Sequence, residues 1–415
     1  MQQSDKGIPG LVVAGLRGGS GKTVISLGIT AAWKQKYQVA PFKKGPDYID
    51  AGWLACAAGR PCYNLDTYLC EDTDVKQSFA QHSHSGDISL IEGNRGLYDG
   101  IDTDGKTSTA ELAKLLALPV LLVIDCTKST RTVAALLKGC MVFDPSVHIM
   151  GVVLNRVAGK RHEKKLRDNI EKFCGVSVYG SIPKLGHQDF PERHMGLLTS
   201  EEHGCSSDSI ETVSKVARDH IDLARLYEDC RSFSFEKELI PGLGTGKEKA
   251  DQGPVQETFS EKPVIGIIKD SAFQFYYPDN IEALVAAGAE IRYISPLKQR
   301  DIPQVDAIYM GGGFPETHAP ELSANLDFKS ALKALADKGL PIYAECGGFI
   351  FLGNSICVDG RTYSMAGVLP VSFGFEKRPV GHGYTRVKVT GENPFYPVGS
   401  VIKGHEFRYS SILDI

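Results

Sequence analysis

Residues 14–29, AGLRGGSGKTVISLGI, form the stretch that most constrains the fold of this chain. They follow the apolar run 11–13, which predicts a buried strand, and a helical pattern begins near Lys22. A strand, a glycine-rich turn and a helix start in this order suit a nucleotide phosphate. The glycine N–H groups can turn inward, and the helix N-terminus adds unpaired donors with a partial positive charge. The stretch therefore predicts an ATP-binding loop.

The side chains of this loop have separate predicted roles. Lys22 would reach the β- and γ-phosphates, and the Thr23 hydroxyl would bind Mg²⁺. Asn155 follows a later strand and would contact the adenine edge, although a turn-forming asparagine is the alternative. The tail RGGSGKT resembles the loop of the deviant P-loop ATPases, with Arg17 where many of those carry lysine. The predicted nucleotide-binding residues are Gly18, Gly19, Ser20, Gly21, Lys22, Thr23 and Asn155.

The chain has 415 residues, a length that favours two domains. In residues 1–232, apolar strands alternate with helical segments, which predicts a doubly wound parallel α/β sheet. Residues 233–262 are polar, rich in glycine and proline and without periodicity, so they are predicted to be a linker. A second α/β domain is predicted over residues 263–415.

Charge and hydropathy exclude several classes of function. A formal net charge of −4 gives no electrostatic case for binding nucleic acid. No apolar run reaches the roughly 18 to 20 residues that a membrane span needs, and residues 1–10 lack the apolar core of a signal peptide. The ten cysteines are scattered and contain no C-x-x-C pair. We therefore expect thiols in a reducing compartment and a cytoplasmic location.

Acidic residues follow two of the predicted strands in the first domain. Asp47 and Asp50 lie in GPDYID, and Glu92 and Asp99 lie in EGNRGLYDG. Ligands bind at the carboxyl ends of strands in such sheets, and nucleotide-bound Mg²⁺ takes one or two carboxylates. Glu92 is therefore the predicted Mg²⁺ ligand, with Asp47 as the second candidate. Acids exposed on loops are the alternative interpretation.

A nucleophile is predicted in the second domain. Cys346 lies in AECGGFIFLG, where a strand passes sharply into a helix, a geometry that exposes a thiol and lowers its pKa at a helix N-terminus. The loop GGGFPE at 311–316, with Gly312 and Gly313, would supply backbone N–H groups for an oxyanion hole. A thiolate nucleophile needs a histidine base, for which His382 and His405 are the candidates.

Together these residues resemble the cobyrinic acid a,c-diamide synthase family, and the resemblance covers nearly the whole chain. Its markers in sequence order are the P-loop at 15–23, KKGPDYID at 43–50, GRPCYNLD at 59–66, EGNRGLYDG at 92–100, PERHMGLLTSEE at 191–202, GGGFPE at 311–316, AECGGFIFLG at 344–353 and GHEF at 404–407. So many ordered motifs are specific for the family.

The resemblance implies an ATP- and Mg²⁺-dependent amidoligase. Its first domain would be a dethiobiotin-synthetase-like P-loop fold that activates a tetrapyrrole carboxylate as an acyl phosphate. Its second domain would be a class I glutamine amidotransferase fold, in which Cys346 releases ammonia from L-glutamine. By similarity, Asp47, Tyr48, Asp50, Glu92 and Asp99 serve Mg²⁺, the carboxylate and the intermediate. His194 and Leu198 would line the tetrapyrrole pocket.

The chain departs from the family pattern in ways that leave alternatives open. The family's histidine lies in a C-terminal segment that should begin at about Ile415, where this sequence stops, so either that segment is missing or His405 or His382 serves. Arg408 stands where the cobyrinate enzymes usually carry histidine, and LRGGSGKT differs from their loop. Sirohaem and nickel-sirohydrochlorin are therefore alternative substrates. An ATPase switch of the chromosome-partition (ParA/MinD-like) type and a non-catalytic tetrapyrrole carrier are alternative functions, and a homodimer is expected.

Overall fold

A computed structural model describes residues 7–185, 207–235, 262–376 and 378–414. The chain divides into two compact units, residues 1–253 and 254–415. Most of the predicted linker, 233–262, lies outside the described residues, and its residues 234 and 235 form a short strand. The predicted domain boundaries remain a prediction. Among the described helices, none has the length and apolar character that crossing a bilayer requires.

Strands and helices alternate along the first unit. Its strands are β1 (Ile8–Gly15), β2 (Val39–Lys44), β3 (Tyr63–Leu65), β4 (Ile88–Gly96), β5 (Val120–Asp125), β6 (Ile149–Val157), β7 (Ser177–Pro183) and β8 (Ser234–Phe235). Its described helices are α1 (Lys22–Lys34), α2 (Tyr48–Ala58), α3 (Asp72–Ser83), α4 (Thr109–Leu115), α5 (Arg131–Phe143), α6 (Lys160–Cys174), α7 (Ser207–His220) and α8 (Leu223–Cys230).

The strands of the first unit form one twisted sheet in the order β3-β2-β4-β1-β5-β6-β7, with β8 antiparallel on β1. All other neighbours are parallel. Successive residues of β1 and β5 enter two separate apolar clusters, with Val12 and Leu122 in one and Val13 and Leu121 in the other. Both faces of the sheet are therefore covered, which explains the continuous apolar strands and confirms the doubly wound α/β prediction.

The second unit contains a small parallel sheet and strand-rich additions. Its strands are β9 (Val264–Ile268), β10 (Glu290–Ile294), β11 (Ala307–Met310), β12 (Ile342–Ala344), β13 (Ser355–Val358), β14 (Arg361–Ser364), β15 (Ser372–Phe375), β16 (Gly381–Lys388), β17 (Val401–Arg408) and β18 (Ser410–Asp414). Its helices are α9 (Pro278–Ala286), α10 (Ala319–Ala324), α11 (Leu326–Asp337) and α12 (Gly347–Leu352), with a 3₁₀ turn at Pro315–His318.

Strand order in the second unit brings two loops together. The parallel sheet runs β10-β9-β11-β12, so β11 and β12 are neighbours and the loops that follow them lie at the same edge. Those loops carry the glycines at 311–313 and Cys346. A second sheet runs β14-β13-β15-β18, and β16 and β17 form a separate hairpin.

Candidate functional sites

The phosphate loop joins β1 to α1 and closes on itself. The Ser20 hydroxyl donates to the Arg17 carbonyl over 2.8 Å. Gly19 and Gly21 have φ of 74° and 92°, a region that favours glycine. A Cβ at Gly21 would overlap the Asn155 amide, so glycine is required there by space as well. Because these positions carry no side chain, the backbone of the loop can approach a bound anion closely.

A group of polar side chains at the ends of β5 and β6 stabilises this loop. The Asn155 amide nitrogen donates to the Ser20 carbonyl over 2.9 Å, and its oxygen accepts from the Arg156 backbone. The Arg156 guanidinium donates to Asp125 over 2.9 Å and to the Gly19 carbonyl over 3.3 Å. Burial alone would raise the pKa of Asp125, but hydrogen bonds from Thr127 and Arg156 lower it to about 2. Asn155 therefore supports the loop in this structure, and its adenine role remains a prediction.

Thr23, Glu92 and Lys43 meet below the loop. The Thr23 hydroxyl donates to Glu92 Oε1 over 2.7 Å, and the Lys43 ammonium lies 3.1 Å from the same oxygen. Lys43 is almost fully buried and also pairs with Asp50 at 2.6 Å. Burial lowers the pKa of Lys43, but the two carboxylates outweigh it and raise the pKa. For Lys22, burial outweighs the nearby carboxylates and lowers the pKa.

Glu92 has the properties of a ligand for nucleotide-bound Mg²⁺. It is fully buried, and its Oε2 atom has no hydrogen-bond partner among the described residues. Burial raises its pKa, so a cation beside it would relieve a real energetic cost. The described residues contain no group of three or more His, Cys, Asp or Glu side chains that could hold a metal ion. One carboxylate with the Thr23 hydroxyl therefore suits a cation that also binds phosphate oxygens and water.

The acids of KGPDYID start helix α2. Asp47 is its N-cap, and its carboxylate accepts from the Asp50 backbone over 2.9 Å. Burial and the neighbouring Asp50 raise the pKa of Asp47. For Asp50, burial acts in the same direction, but Lys43 outweighs it and lowers the pKa. Tyr48 is the first residue of α2. The structure thus gathers Asp47, Asp50 and Glu92 around Lys43.

Among the remaining predicted residues of the first unit, Asp99 lies on the turn after β4, whose Gly96 pairs with Gly15 at the start of the phosphate loop. Asp99 is exposed, and its carboxylate accepts from the Gly96 backbone over 2.9 Å, which stabilises the turn after β4. His194 and Leu198 lie outside the described residues. Their predicted roles remain predictions.

Sequence analysis missed Lys43, Asp125 and Arg156 as contributors to this site. Lys43 could have been found, because a lysine pair in an otherwise apolar strand signals a buried charge that needs partners. Asp125 ends the buried strand β5, and a carboxylate at the carboxyl end of a buried parallel strand is a candidate site residue. Arg156 offers no such signal, since its contact with the loop depends on a backbone φ of 57°.

Cys346 lies on the predicted sharp turn between β12 and α12. Its φ of 48° and ψ of −111° are a strained combination for a residue with a side chain. The backbone N–H groups of Gly347 and Gly313 act on its sulfur as hydrogen-bond donors. A Cβ at Gly348 would lie 2.7 Å from Met310 Cβ, so the turn packs directly on β11. This geometry presents a thiol beside two backbone donors.

The expectation of a lowered pKa for Cys346 is wrong. Part of the side chain is exposed, yet the surrounding protein atoms remove water from the sulfur and raise its pKa. The carboxylates of Glu316 and Glu345 raise it further, against the two backbone donors. Helix α12 has six residues, and so short a helix contributes little dipole. These surroundings therefore favour the protonated thiol over the thiolate.

The glycine loop after β11 lies against the thiol as predicted from the sequence. A Cβ at Gly312 would be 3.3 Å from Cys346 Cβ, and the Gly313 N–H lowers the pKa of the thiol. His382 and His405 lie on the hairpin, His382 on β16 and His405 on β17. The charged groups that act most strongly on the thiol are carboxylates rather than a histidine. The role of His405 as base therefore remains a prediction.

A P-loop unit joined to a unit with an exposed thiol beside a glycine loop defines the class of glutamine-dependent amidoligases. Residues 11–197 match the CobQ/CobB/MinD/ParA nucleotide binding domain, and residues 264–414 match the CobB/CobQ-like glutamine amidotransferase domain. The chain belongs to the cobyrinate a,c-diamide synthase family, as its sequence motifs predict.

Curated relatives named cobyrinate a,c-diamide synthase match almost the whole chain. The relative from Magnetococcus marinus is 40% identical over 98% of this chain and 86% of its own length. The relatives from Syntrophotalea carbinolica and Caldanaerobacter subterraneus are 36% and 37% identical over 98% and 97% of this chain, and each is covered to 86%. A solved ParA family ATPase from Chlorobium tepidum has a TM-score of 0.33 at 17% identity, over 55% of this chain and 98% of its own chain.

Proposed function

We propose that this chain uses ATP and L-glutamine to convert peripheral acetate carboxylates of cobyrinate into amides. The name shared by relatives that match 96% to 98% of the chain supports this substrate. The single observation that carries the proposal is the presence of both half-sites in one chain. One is a phosphate loop with the part-buried Thr23–Glu92 hydrogen bond, and the other is a thiol packed against the glycine loop at 311–313.

In the first unit, the proposed step is activation of a substrate carboxylate. Gly18 to Thr23 would bind the triphosphate, with Thr23 and Glu92, and Asp47 as the second carboxylate, as ligands for Mg²⁺. Bound Mg²⁺ would neutralise phosphate charge. A substrate carboxylate oxygen attacks the γ-phosphorus, the bond to the β-phosphate oxygen breaks, and acyl phosphate and ADP form. The partly buried Lys22 and the buried Lys43 would place positive charge beside this reaction. Tyr48, Asp50 and Asp99 are proposed to orient the carboxylate and intermediate.

In the second unit, the proposed step is release of ammonia from glutamine. The Cys346 thiolate attacks the side-chain amide carbon, and the carbonyl electron pair moves to oxygen. The Gly313 and Gly347 N–H groups would stabilise that oxygen. Collapse forms a thioester and releases ammonia, with a proton delivered by a histidine for which His405 is the candidate. Water then hydrolyses the thioester to glutamate.

The two units would act in sequence on one nitrogen atom. Ammonia attacks the acyl carbon of the acyl phosphate, inorganic phosphate leaves, and the amide remains. Because Cys346 serves the glutaminase step alone, replacing Cys346 with alanine should abolish amidation with glutamine and leave amidation with ammonium salts near the wild-type rate. Liquid chromatography with mass spectrometry of the tetrapyrrole measures both. A folded Cys346→Ala protein that also fails with ammonia would show that the thiol has been misassigned.

The identity of the tetrapyrrole is tested in the same assay. Cobyrinate, sirohaem and nickel-sirohydrochlorin are each incubated with ATP, Mg²⁺ and glutamine, and each acid that becomes an amide changes the mass by about one unit. We expect cobyrinate to gain two amides. Turnover of sirohaem or nickel-sirohydrochlorin in its place would assign the chain to a different branch. The match of residues 264–414 to an amidotransferase domain disfavours an ATPase switch of the partition type. His194 and Leu198 as pocket residues, a homodimer and a cytoplasmic location remain predictions.

A further inference from the structure

The segment 270–276, DSAFQFY, packs backbone against backbone on the glycine loop 311–313. A Cβ at Gly311 would lie 2.5 Å from the Phe275 carbonyl oxygen and 2.7 Å from the Tyr276 ring. A Cβ at Gly313 would overlap the Ala272 carbonyl oxygen. The glycines of this loop are therefore required by the segment that lies against them as well as by the site they line.

A backbone hydrogen bond from this segment orients one particular peptide group. The Phe275 N–H donates to the Gly312 carbonyl over 3.0 Å. In a planar trans peptide the N–H points opposite to the C=O, so fixing the Gly312 carbonyl on one side directs the Gly313 N–H to the other. The Gly313 nitrogen lies against the turn of the nucleophile, 3.0 Å from where a Cβ of Gly347 would be, and its N–H lowers the pKa of the Cys346 thiol. The direction of the proposed oxyanion donor is thus set from the far side of the loop.

The Tyr276 hydroxyl fastens the start of the same loop. It accepts from the Gly311 N–H over 2.7 Å and donates to the Ile268 carbonyl, which connects the loop to the end of β9. Tyr276 is half-buried, and its ring packs edge-on against the ring of Tyr309. Burial raises the pKa of Tyr276, so the hydroxyl keeps its proton. The Gly311 carbonyl in turn accepts from the Gly348 N–H over 3.1 Å, in the helix that follows the nucleophile.

We propose that Tyr276 is a positioning residue for glutamine hydrolysis, whose hydroxyl holds the 311–313 loop so that the Gly313 N–H meets the oxyanion. This role rests on the proposed glutaminase function of Cys346, and Tyr276 lies outside the sequence motifs of the family. Tyr276 touches neither thiol nor substrate in this account. It acts through the backbone of Gly311 and, with Phe275, through the peptide that follows.

The test is the variant Tyr276→Phe, which keeps the ring and removes both hydrogen bonds. Complete loss of one oxyanion donor costs about 10²- to 10³-fold in kcat, so a displaced donor should cost about 10- to 100-fold. The KM for glutamine should change by less than about threefold, since the ground-state amide depends less on this donor. Amidation with ammonium salts should remain at the wild-type rate. Tyr309→Phe is the matched control, because it removes a hydroxyl from the same aromatic cluster that contacts Asn280 instead of the loop.

A transition-state analogue separates positioning from general damage. L-Glutamate γ-semialdehyde forms a thiohemiacetal with the thiol, and its oxygen would occupy the oxyanion position. Its affinity should fall in Tyr276→Phe by the same factor as kcat/KM, while the affinity for the product L-glutamate stays unchanged. If Tyr276→Phe does not fold, Phe275→Pro replaces it, since this change removes the donor to the Gly312 carbonyl and should reproduce the loss in kcat.

Three results would overturn the inference. An unchanged kcat for glutamine in folded Tyr276→Phe refutes the positioning role and leaves the glutaminase assignment intact. If the affinity for L-glutamate falls by the same factor as kcat and the melting temperature also falls, the tyrosine has a purely structural role. A wild-type protein that consumes no glutamine in the presence of ATP and tetrapyrrole refutes the proposed function itself, and the positioning role with it.

Discussion

Lys43 places one positive charge between the buried Glu92 carboxylate at 3.1 Å and the partly buried Asp50 carboxylate at 2.6 Å. Removing one partner from a buried ion pair typically costs about 3–5 kcal/mol, because the other charges remain without compensation. Lys43→Met should therefore lower the free energy of unfolding by about that amount in urea titrations. It should also reduce ammonia-dependent amidation by roughly 100-fold, since misplaced carboxylates displace the reacting groups.

The matched control for this prediction is Lys43→Arg, which keeps the charge in a longer side chain. We expect it to retain most of the stability and to lose activity, because a planar guanidinium cannot reproduce the ammonium's three contacts. Nucleotide affinity measured with and without Mg²⁺ gives a readout independent of turnover. Wild-type stability in Lys43→Met would contradict the charge-pairing account.

At the residue scale, the sequence predicts which site residues lie close together where the order of the strands alone determines their distance. Asp47 follows β2, and Glu92 lies within the neighbouring parallel strand β4, paired with Lys43, so their placement in the same part of the sheet could be predicted without coordinates. The direction in which the pKa of Cys346 shifts could not be predicted, because it depends on Glu316 and Glu345 and on the short length of α12. Both are properties of three-dimensional packing that a local motif does not encode.

At the scale of elements, the loop between β1 and α1 is held by residues from the ends of β5 and β6. The Arg156 guanidinium donates to the Asp125 carboxylate and to the Gly19 carbonyl, so the ion pair holds the guanidinium against the loop. Asp125→Asn should free the loop and raise the KM for ATP by about tenfold, since one charged hydrogen bond contributes about 1.5–3 kcal/mol. The KM for glutamine should not change, because the variant alters the first unit alone.

The same carboxylate gives the prediction a pH dependence. The pKa of Asp125 is lowered from 3.8 to about 2, so its contribution to stability is fully present above about pH 4 and is lost as pH falls toward 2. A shift of this size corresponds to about 2 kcal/mol. The difference in unfolding free energy between wild type and Asp125→Asn should therefore shrink over this window. A difference that is constant from pH 5 to pH 2 would contradict the ion-pair account.

Prediction of elements from the sequence depended on how strong the local pattern was. The strand, loop and first helix were predicted because apolar run, glycines and helix start agree, and the structure has β1 and α1 there. Helix α2 has no counterpart among the elements predicted from the sequence, because GPDYID indicates site residues after a strand, whereas Asp47 is the N-cap of this helix and Tyr48 and Asp50 lie in its first turn. The segment 270–276 carries no periodicity, and its function follows from contacts 35 residues or more along the chain.

At the scale of the whole molecule, two centres in separate units must share one nitrogen atom. Ammonia released into water at neutral pH becomes mostly ammonium, which is not a nucleophile. We therefore expect the nitrogen to pass within the protein from the thiol site to the acyl phosphate. This expectation is distinct from the assignment of either centre, since an enzyme with both could still release ammonia to solvent.

Isotope competition tests this transfer directly. Glutamine labelled with ¹⁵N in its side-chain amide is supplied with ATP, tetrapyrrole and a large excess of unlabelled ammonium. Mass spectrometry should find ¹⁵N in nearly all of the product amide, because internally delivered ammonia does not exchange with the pool. Cys346→Ala under the same conditions should incorporate unlabelled nitrogen alone. Wild-type product that carries the isotope ratio of the bulk solution would show that the two centres communicate through solvent.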